Sequence, residues 1–226
     1  SWGLAGDLSI TSQAQGDVLY FNGTNWVRLA AGTSGQFLKT QGAAANPMWD
    51  TPSSGGNFTL IEDWTASSDV ANKTFSSIPN TYKHLKLICS ARTAHTNIDH
   101  LRAQFNADTG NNYSSIVIYL NTSTSVGSLE SLGTASGMLV TATGADANAS
   151  AFSAGEVIIT DYANTVTWKS YLTPSFNPNL LTSGNVYLYY WGGIWKSTSA
   201  ISSIKIITNS GANIKQNTRL SLYGIS

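Results

Sequence analysis

The sequence predicts an all-β chain: a short Gly-rich connector with small strands over residues 1–56, then an antiparallel, jelly-roll-like β-sandwich over 57–226. Three observations carry this. Apolar and polar residues alternate with period two in run after run, each bounded by Gly, Asn, Ser or Pro. Charged residues make up only 11% of the chain against 42% hydrophobic, with Ser, Thr, Asn and Gly supplying the polarity, a balance that suits strands and tight turns. No segment carries a sustained helical apolar stripe.

The connector is cut into pieces. Within "GDVLYFNGTNWVRLAAGTSGQFLKT", Gly16 to Thr40, the apolar runs Val18–Phe21, Trp26–Leu29 and Phe37–Leu38 are separated by glycine every few residues. None is long enough to form a core alone. A linker has no use for Phe21, Trp26 and Phe37, so these residues ask for a partner. Three identical chains wound on one axis would let Leu19, Phe21, Trp26, Leu29, Phe37, Leu38 and Trp49 meet their symmetry mates, with Gly16, Gly23, Gly32 and Gly35 in the turns. Trp2 and Trp49 stand 47 residues apart in similar settings, within the range of stacked repeats. On that reading Ser1 is not the natural start of the polypeptide.

A break at "DTPSSGGN" separates the two regions. Beyond it, "FTLIEDWTAS" places Phe58, Leu60 and Trp64 on one side, and "KHLKLICSAR" places Leu85, Leu87 and Cys89 opposite His84 and Lys86. "HLRAQFNADTGNNYSSIVIYLN" reads as two strands joined by a hairpin turn. "EVIITDY", "VTWKSYLTPSF", "NVYLYYWGG", "AISSIKIIT" and "TRLSLYGIS" complete the set. Paired sheets bury one face of each strand. "VYLYYWGG" and "IVIYL" are apolar on both faces, so their outer side is expected to meet a neighbouring subunit or a ligand.

Composition excludes several roles. The net charge is zero and there is no basic run, which removes the electrostatic footprint of nucleic-acid binding and of anionic membrane. No stretch approaches the 18 or so apolar residues of a membrane-spanning helix. The first residues carry no signal-peptide pattern, so sequons such as Asn22-Gly-Thr and Asn72-Lys-Thr read as products of composition. Cys89 is the only cysteine, so neither an intrachain disulfide nor a cysteine metal site can form.

No catalytic set is visible. Asp108-Thr109-Gly110 matches the aspartic-protease triplet but sits among turn formers, Asn106, Asn111 and Asn112. His95, Asp99 and His100 could suggest a metal, yet adjacent strand residues face opposite ways. Asp99 is expected to pair with Arg92 or Arg102 instead. Glu62 with Asp63, and Glu156 with Asp161, lack a glycosidase arrangement: the first pair diverges, and the second is roughly 16 Å apart along a strand. The expectation is therefore no enzyme, no cofactor and no metal.

The aromatic set is the strongest candidate for recognition. Tyr187, Tyr189, Tyr190, Trp191 and Trp195, with Tyr162 and Trp168, could fill the core and a subunit interface. Alternatively, Trp191, Trp195, Tyr189 and Tyr162 could stack on sugar rings. In the second case Trp191 and Trp195 would flank a flexible loop at Gly192-Gly193.

The connector resembles a repeat of tailed-bacteriophage fibre proteins, G-D-x-L-Y-x-N-G-x-x-W-x-R-L, then G-x-x-G-Q-x-L, then N-P-x-W. Gly16, Asp17, Leu19, Tyr20, Asn22, Gly23, Trp26, Arg28, Leu29, Gly32, Gly35, Gln36, Leu38, Pro47 and Trp49 fit it. The opening "SWG" resembles the end of a preceding copy. "SSIPNTYKHLKL", "LRAQFNADTGNNY", "GIWKSTSAISSIKI" and "RLSLYGIS" are similar to C-terminal domains of virion appendages. The resemblance implies a homotrimeric fibre on the tail or head of a phage particle, in contact with other virion proteins. Its C-terminal domain would be distal and face the host, without the resemblance naming a receptor; the aromatic set and the low charge suggest a host-surface glycan. A ligand-free head decoration or fibre joint is the first alternative; a polysaccharide depolymerase is the second.

Overall fold

The computed structural model describes residues 12–52, 58–121, 126–178 and 186–226; Trp2, and with it the proposed earlier repeat, lies outside them. The chain divides into two compact units, Ser1–Gly56 and Asn57–Ser226. Both are all-β, and no helix occurs among the described residues.

The first unit holds two antiparallel hairpins. Strand β1 (Val18–Phe21) pairs with β2 (Trp26–Leu29), and β3 (Phe37–Lys39) pairs with β4 (Met48–Asp50). Gly16, Gly23 and Gly35 adopt positive φ, the left-handed region where a side chain is strained, so the turns fall where the glycines do. Polar contacts fix the shape. Asp17 accepts the Arg28 Nε–H at 2.5 Å and the backbone N–H groups of Ala14 and Ala31. Asn22 Oδ1 accepts from Thr24 and Asn25 across the first turn, an Asx turn. The Trp49 indole N–H reaches back to the Ala30 carbonyl at 2.6 Å, tying the second hairpin to the end of the first.

The second unit packs two unequal sheets. Its strands are β5 (Phe58–Thr65), β6 (Lys73–Phe75), β7 (His84–Ala91), β8 (Asp99–Phe105), β9 (Tyr113–Asn121), β10 (Val126–Thr134), β11 (Gly137–Ala142), β12 (Ser153–Ile159), β13 (Lys169–Asn177), β14 (Tyr187–Trp195), β15 (Ile204–Thr208) and β16 (Arg219–Ile225). An eight-stranded sheet runs β10-β9-β14-β13-β12-β7-β16-β5, and a four-stranded sheet runs β11-β8-β15-β6. All pairings within them are antiparallel.

Between the sheets Leu85, Leu87 and Cys89 of β7 meet Leu101, Ala103 and Phe105 of β8, together with Val157, Tyr171, Ile204, Ile206 and Leu222. The period-two pattern put these residues on buried faces, and they are buried. Strand β11 is buried along its whole length because this edge of the small sheet packs against the large one. A second, smaller core of Val117, Met138, Tyr189 and Trp191 forms there.

Two strand expectations are corrected. Phe58 and Leu60 are exposed while Ile61 and Trp64 pack on the core. The register with β16 shifts between Leu222 and Tyr223, and such a bulge exchanges the faces of a strand. Strands β8 and β9 do not form a hairpin; they belong to different sheets. The turn between them is an inter-sheet corner, with Asn106 and Ala107 at positive φ and Asn106 Oδ1 accepting from the Ser202 and Ser203 N–H groups.

Candidate interaction surfaces

In the connector the predicted contact residues divide. Leu19, Phe21, Trp26, Phe37 and Leu38 are exposed in the single chain, whereas Leu29 and Trp49 are half-buried within it. Phe21 and Trp26 meet edge to face across the first turn, centroids 5.7 Å apart. A side chain at Gly32 would strike the Trp49 ring at 2.8 Å. Trp49 is thus a bracket inside its own chain, and hydrogen bonds order the unit while Met48 joins those five, leaving six large apolar side chains uncovered among its described residues.

The four aromatic residues assigned to sugar stacking are buried: Tyr162 at 0% exposure, Trp195 at 2%, Trp191 at 4% and Tyr189 at 7%. They do not form one site. Trp195 packs on Phe105 and Tyr113 and donates its indole N–H to Asp108 Oδ2 at 2.7 Å. That contact explains the Asp-Thr-Gly triplet as a corner pinned by Trp195. The Tyr162 hydroxyl donates to the Pro79 carbonyl. Tyr189 and Trp191 belong to the smaller core, stacked 6.2 Å apart, with Tyr187 stacked on Tyr189 and Tyr119 beside it.

Gly192 and Gly193 are not a loop; both lie within β14. A Cβ at Gly193 would sit 2.0 Å from Tyr171 Cζ, so the glycine makes room for that ring. The Tyr171 hydroxyl in turn shares a hydrogen bond with Ser115 Oγ at 2.8 Å. Burial raises the Tyr171 pKa to about 12.

The polar candidates are structural. Asp99 accepts from Ser210 Oγ at 2.5 Å and from the Ser210 and His100 N–H groups, not from Arg92 or Arg102. Arg92 is spent on four backbone carbonyls, those of Ala145, Ala147, Asn148 and Ala151. Arg102 donates to Asn209 Oδ1 and the Ser136 carbonyl. Glu62 pairs with Lys73, Asp63 with Arg219, and Glu156 with Lys86. The Arg219 guanidinium beside it holds the Asp63 carboxyl down to about 2. No group of three metal-ligating side chains occurs among the described residues. His100 packs edge-on against Tyr189 and Trp191, centroids 5.5 and 5.2 Å away; burial there lowers its pKa to about 4. Burial likewise pushes the Cys89 thiol far up, which leaves it inert.

The feature left uncovered is the outer face of the eight-stranded sheet. Register aligns Leu120, Leu188 and Phe176 in one row across β9, β14 and β13; Ile118, Tyr190 and Pro174 in the next; and Ile116, Gly192 and Leu172 in a third. All the large side chains of these rows except Pro174 are exposed. Comparisons with family models, with curated proteins and with solved structures find no match for this chain.

Both faces of β14 carry aromatic residues, and composition alone did not say which face turns inward. Tyr190, not Tyr189 or Trp191, is the outward ring. Ile116, Ile118 and Leu120 alternate with buried Ser115 and Val117, and that alternation was the available signal.

Proposed function

We propose that this chain is a structural subunit of a homotrimeric, fibre-like virion appendage, with a repeat-built connector and a β-sandwich head that carries the attachment role. The observation that carries the reading is the connector. Polar contacts define two small hairpins, yet Leu19, Phe21, Trp26, Phe37 and Leu38 remain exposed, and the unit's described residues form no buried hydrophobic cluster to take them. Apolar surface of that density in so few residues is matched by identical neighbours around an axis. The fibre-repeat residues are also the ones that make the local structure: Asp17 with Arg28, Asn22 at the turn, Gly32 under Trp49. A trimer presenting three heads multiplies weak contacts by avidity.

Light scattering on the purified chain tests the assembly: a mass three times the 24.0 kDa of one chain is expected, and a monomer overturns the reading. Retention of the assembly on a glycan array tests attachment.

Burial of Tyr162, Tyr189, Trp191 and Trp195 favours a second reading, a ligand-free joint or decoration in the same kind of particle. A trimer that binds no glycan and no host cell would select it.

A further inference from the structure

We propose that the outer face formed by β9, β14 and β13, with edge strand β10, is buried against two further copies of this chain, three such faces closing around a common axis. This rests on the homotrimeric reading above and adds which surface of the head makes the contact.

The face is large. Exposure runs from 37% at Leu188 to 66% at Leu172, with Ile116, Ile118, Leu120, Tyr190 and Phe176 between. Val126 and Leu132 of β10, 69% and 67% exposed, extend the same face. At roughly 100 Å² left uncovered per side chain, the field is on the order of the 800 Å² per partner that a stable interface buries. It exceeds the ~300–600 Å² of the largest patch on an ordinary monomer.

The chemistry of the face selects the occupant. Strands β9 and β14 contain no charged residue, and the one on β13, Lys169, is fully buried. Glu130 of β10, opposite Ile116, is the charge at the margin. Farther across the sheet Ile88, Phe58 and Leu60 are also exposed, but there the apolar surface is interrupted by charges that are already paired, Lys86 with Glu156 and Arg219 with Asp63. A sugar would need convergent hydrogen-bonding side chains beside an aromatic ring, and the rows offer the Tyr190 hydroxyl alone. An anionic lipid surface would need a basic rim. The connector of the same chain also exposes apolar side chains, and one homo-oligomer covers both sets.

Relief on the face fits identical copies. Gly192 has room for a side-chain carbon: a Cβ there would make only ordinary contacts, 3.7 Å to Leu172 and 3.8 Å to Ile116. Unlike Gly193, it is not required by this chain's own packing. A shallow groove of about 310 Å³ opens beside it, lined by Ile116, Leu132, Gly193 and Ile194, with Ser114 and Glu130 also in its wall. Tyr190 and Leu172 project alongside. Projection and recess on one surface are what three copies turned about an axis can interlock.

The test uses the full chain. In Tyr190→Cys, the introduced thiol is expected to react with a maleimide at least tenfold more slowly than that of Val166→Cys, a control at a position 80% exposed and off this face. Native Cys89 is buried and silent in both. Collapse of Tyr190→Cys to the 24.0 kDa monomer, with its far-UV circular dichroism unchanged, supports the proposal equally. Ile118→Glu, at an exposed position, is expected to keep the fold and weaken assembly at least tenfold. A trimer in which the Tyr190→Cys thiol reacts as fast as the control, and which Ile118→Glu leaves intact, overturns the face assignment but not the homotrimer. A monomeric parent chain overturns both.

Discussion

Tyr171 occupies the space that a side chain at Gly193 would need, with its Cζ 2.0 Å from the position of a Cβ there. The contact couples neighbouring strands at paired register positions, and in the opposite sheet a Cβ at Gly137 would fall 2.3 Å from the same hydroxyl. Gly193→Ala should therefore displace the ring and break its bond to Ser115. A loss of about 3 kcal/mol is expected from overpacking a fully buried site. In thermal unfolding this corresponds to a fall of roughly 6–12 °C for a domain of this size. Gly192→Ala, one residue away, where a Cβ makes only ordinary contacts, should leave the isolated fold unchanged within about 0.5 kcal/mol. Equal effects at the two positions would contradict the assignment.

Arg92 gives a second prediction. Its guanidinium is buried and donates to four carbonyls between Ala145 and Ala151, clamping the segment that joins β11 to β12. Arg92→Lys keeps the charge but cannot present the planar fork. Both Arg92→Lys and Arg92→Ala should cost about 3 kcal/mol, since each leaves buried carbonyls without a charged donor. Hydrogen exchange should show the loss concentrated at 144–152. Protection there equal to the parent chain would refute the clamp.

The tryptophans of β14 separate in the same way. Trp195 Nε1 donates to the Asp108 carboxylate, whereas Trp191 Nε1 is buried without a hydrogen-bond partner among the described residues. Trp195→Phe removes a charge-assisted bond worth about 1.5–3 kcal/mol and frees the β8–β9 corner. Trp191→Phe removes a donor that satisfies nothing and should cost less, about 1 kcal/mol of lost packing. Urea unfolding of the two variants decides; the reverse order would mean the Trp191 indole has a partner.

These contrasts show what was readable in the sequence. Alternation in "KHLKLICSAR" and "LRAQF" placed Leu85, Leu87, Leu101 and Phe105 correctly because a buried face writes itself with period two. On β14 the same rule failed to choose a face, since Tyr189 and Tyr190 are equally apolar. What turns Tyr189 inward is the small core it shares with Val117, Met138 and Trp191, a fact of long-range pairing. The exchange of faces at Ile61 was illegible for a related reason: a bulge is set by the partner strand. In the connector, glycine spacing gave the turns, but the brackets Asp17–Arg28 and Trp49–Ala30 span 11 and 19 residues and carry no local signal.

His100 supplies a pH dependence of definite sign. Packed between Tyr189 and Trp191, its imidazole is held neutral to about pH 4, against an ordinary value of 6.5. The dominant cause is burial; neighbouring Arg102 acts in the same direction and Asp99 opposes. The unfolded chain takes up this proton between pH 6.5 and 4 while the folded chain does not. Stability contributed by His100 is thus full above pH 6.5 and declines as the pH falls through that window, by about 3 kcal/mol at its acid end. Asp63, held down to about 2 by Arg219, loses its contribution only below its ordinary value of 3.8, so the two effects occupy different ranges. Urea midpoints measured at pH 7.5, 6, 5 and 4.5 should fall steadily for the parent chain and much less for His100→Gln. If the variant keeps the parent slope between pH 6.5 and 4.5, the proton is taken up elsewhere and His100 is not the buried neutral group.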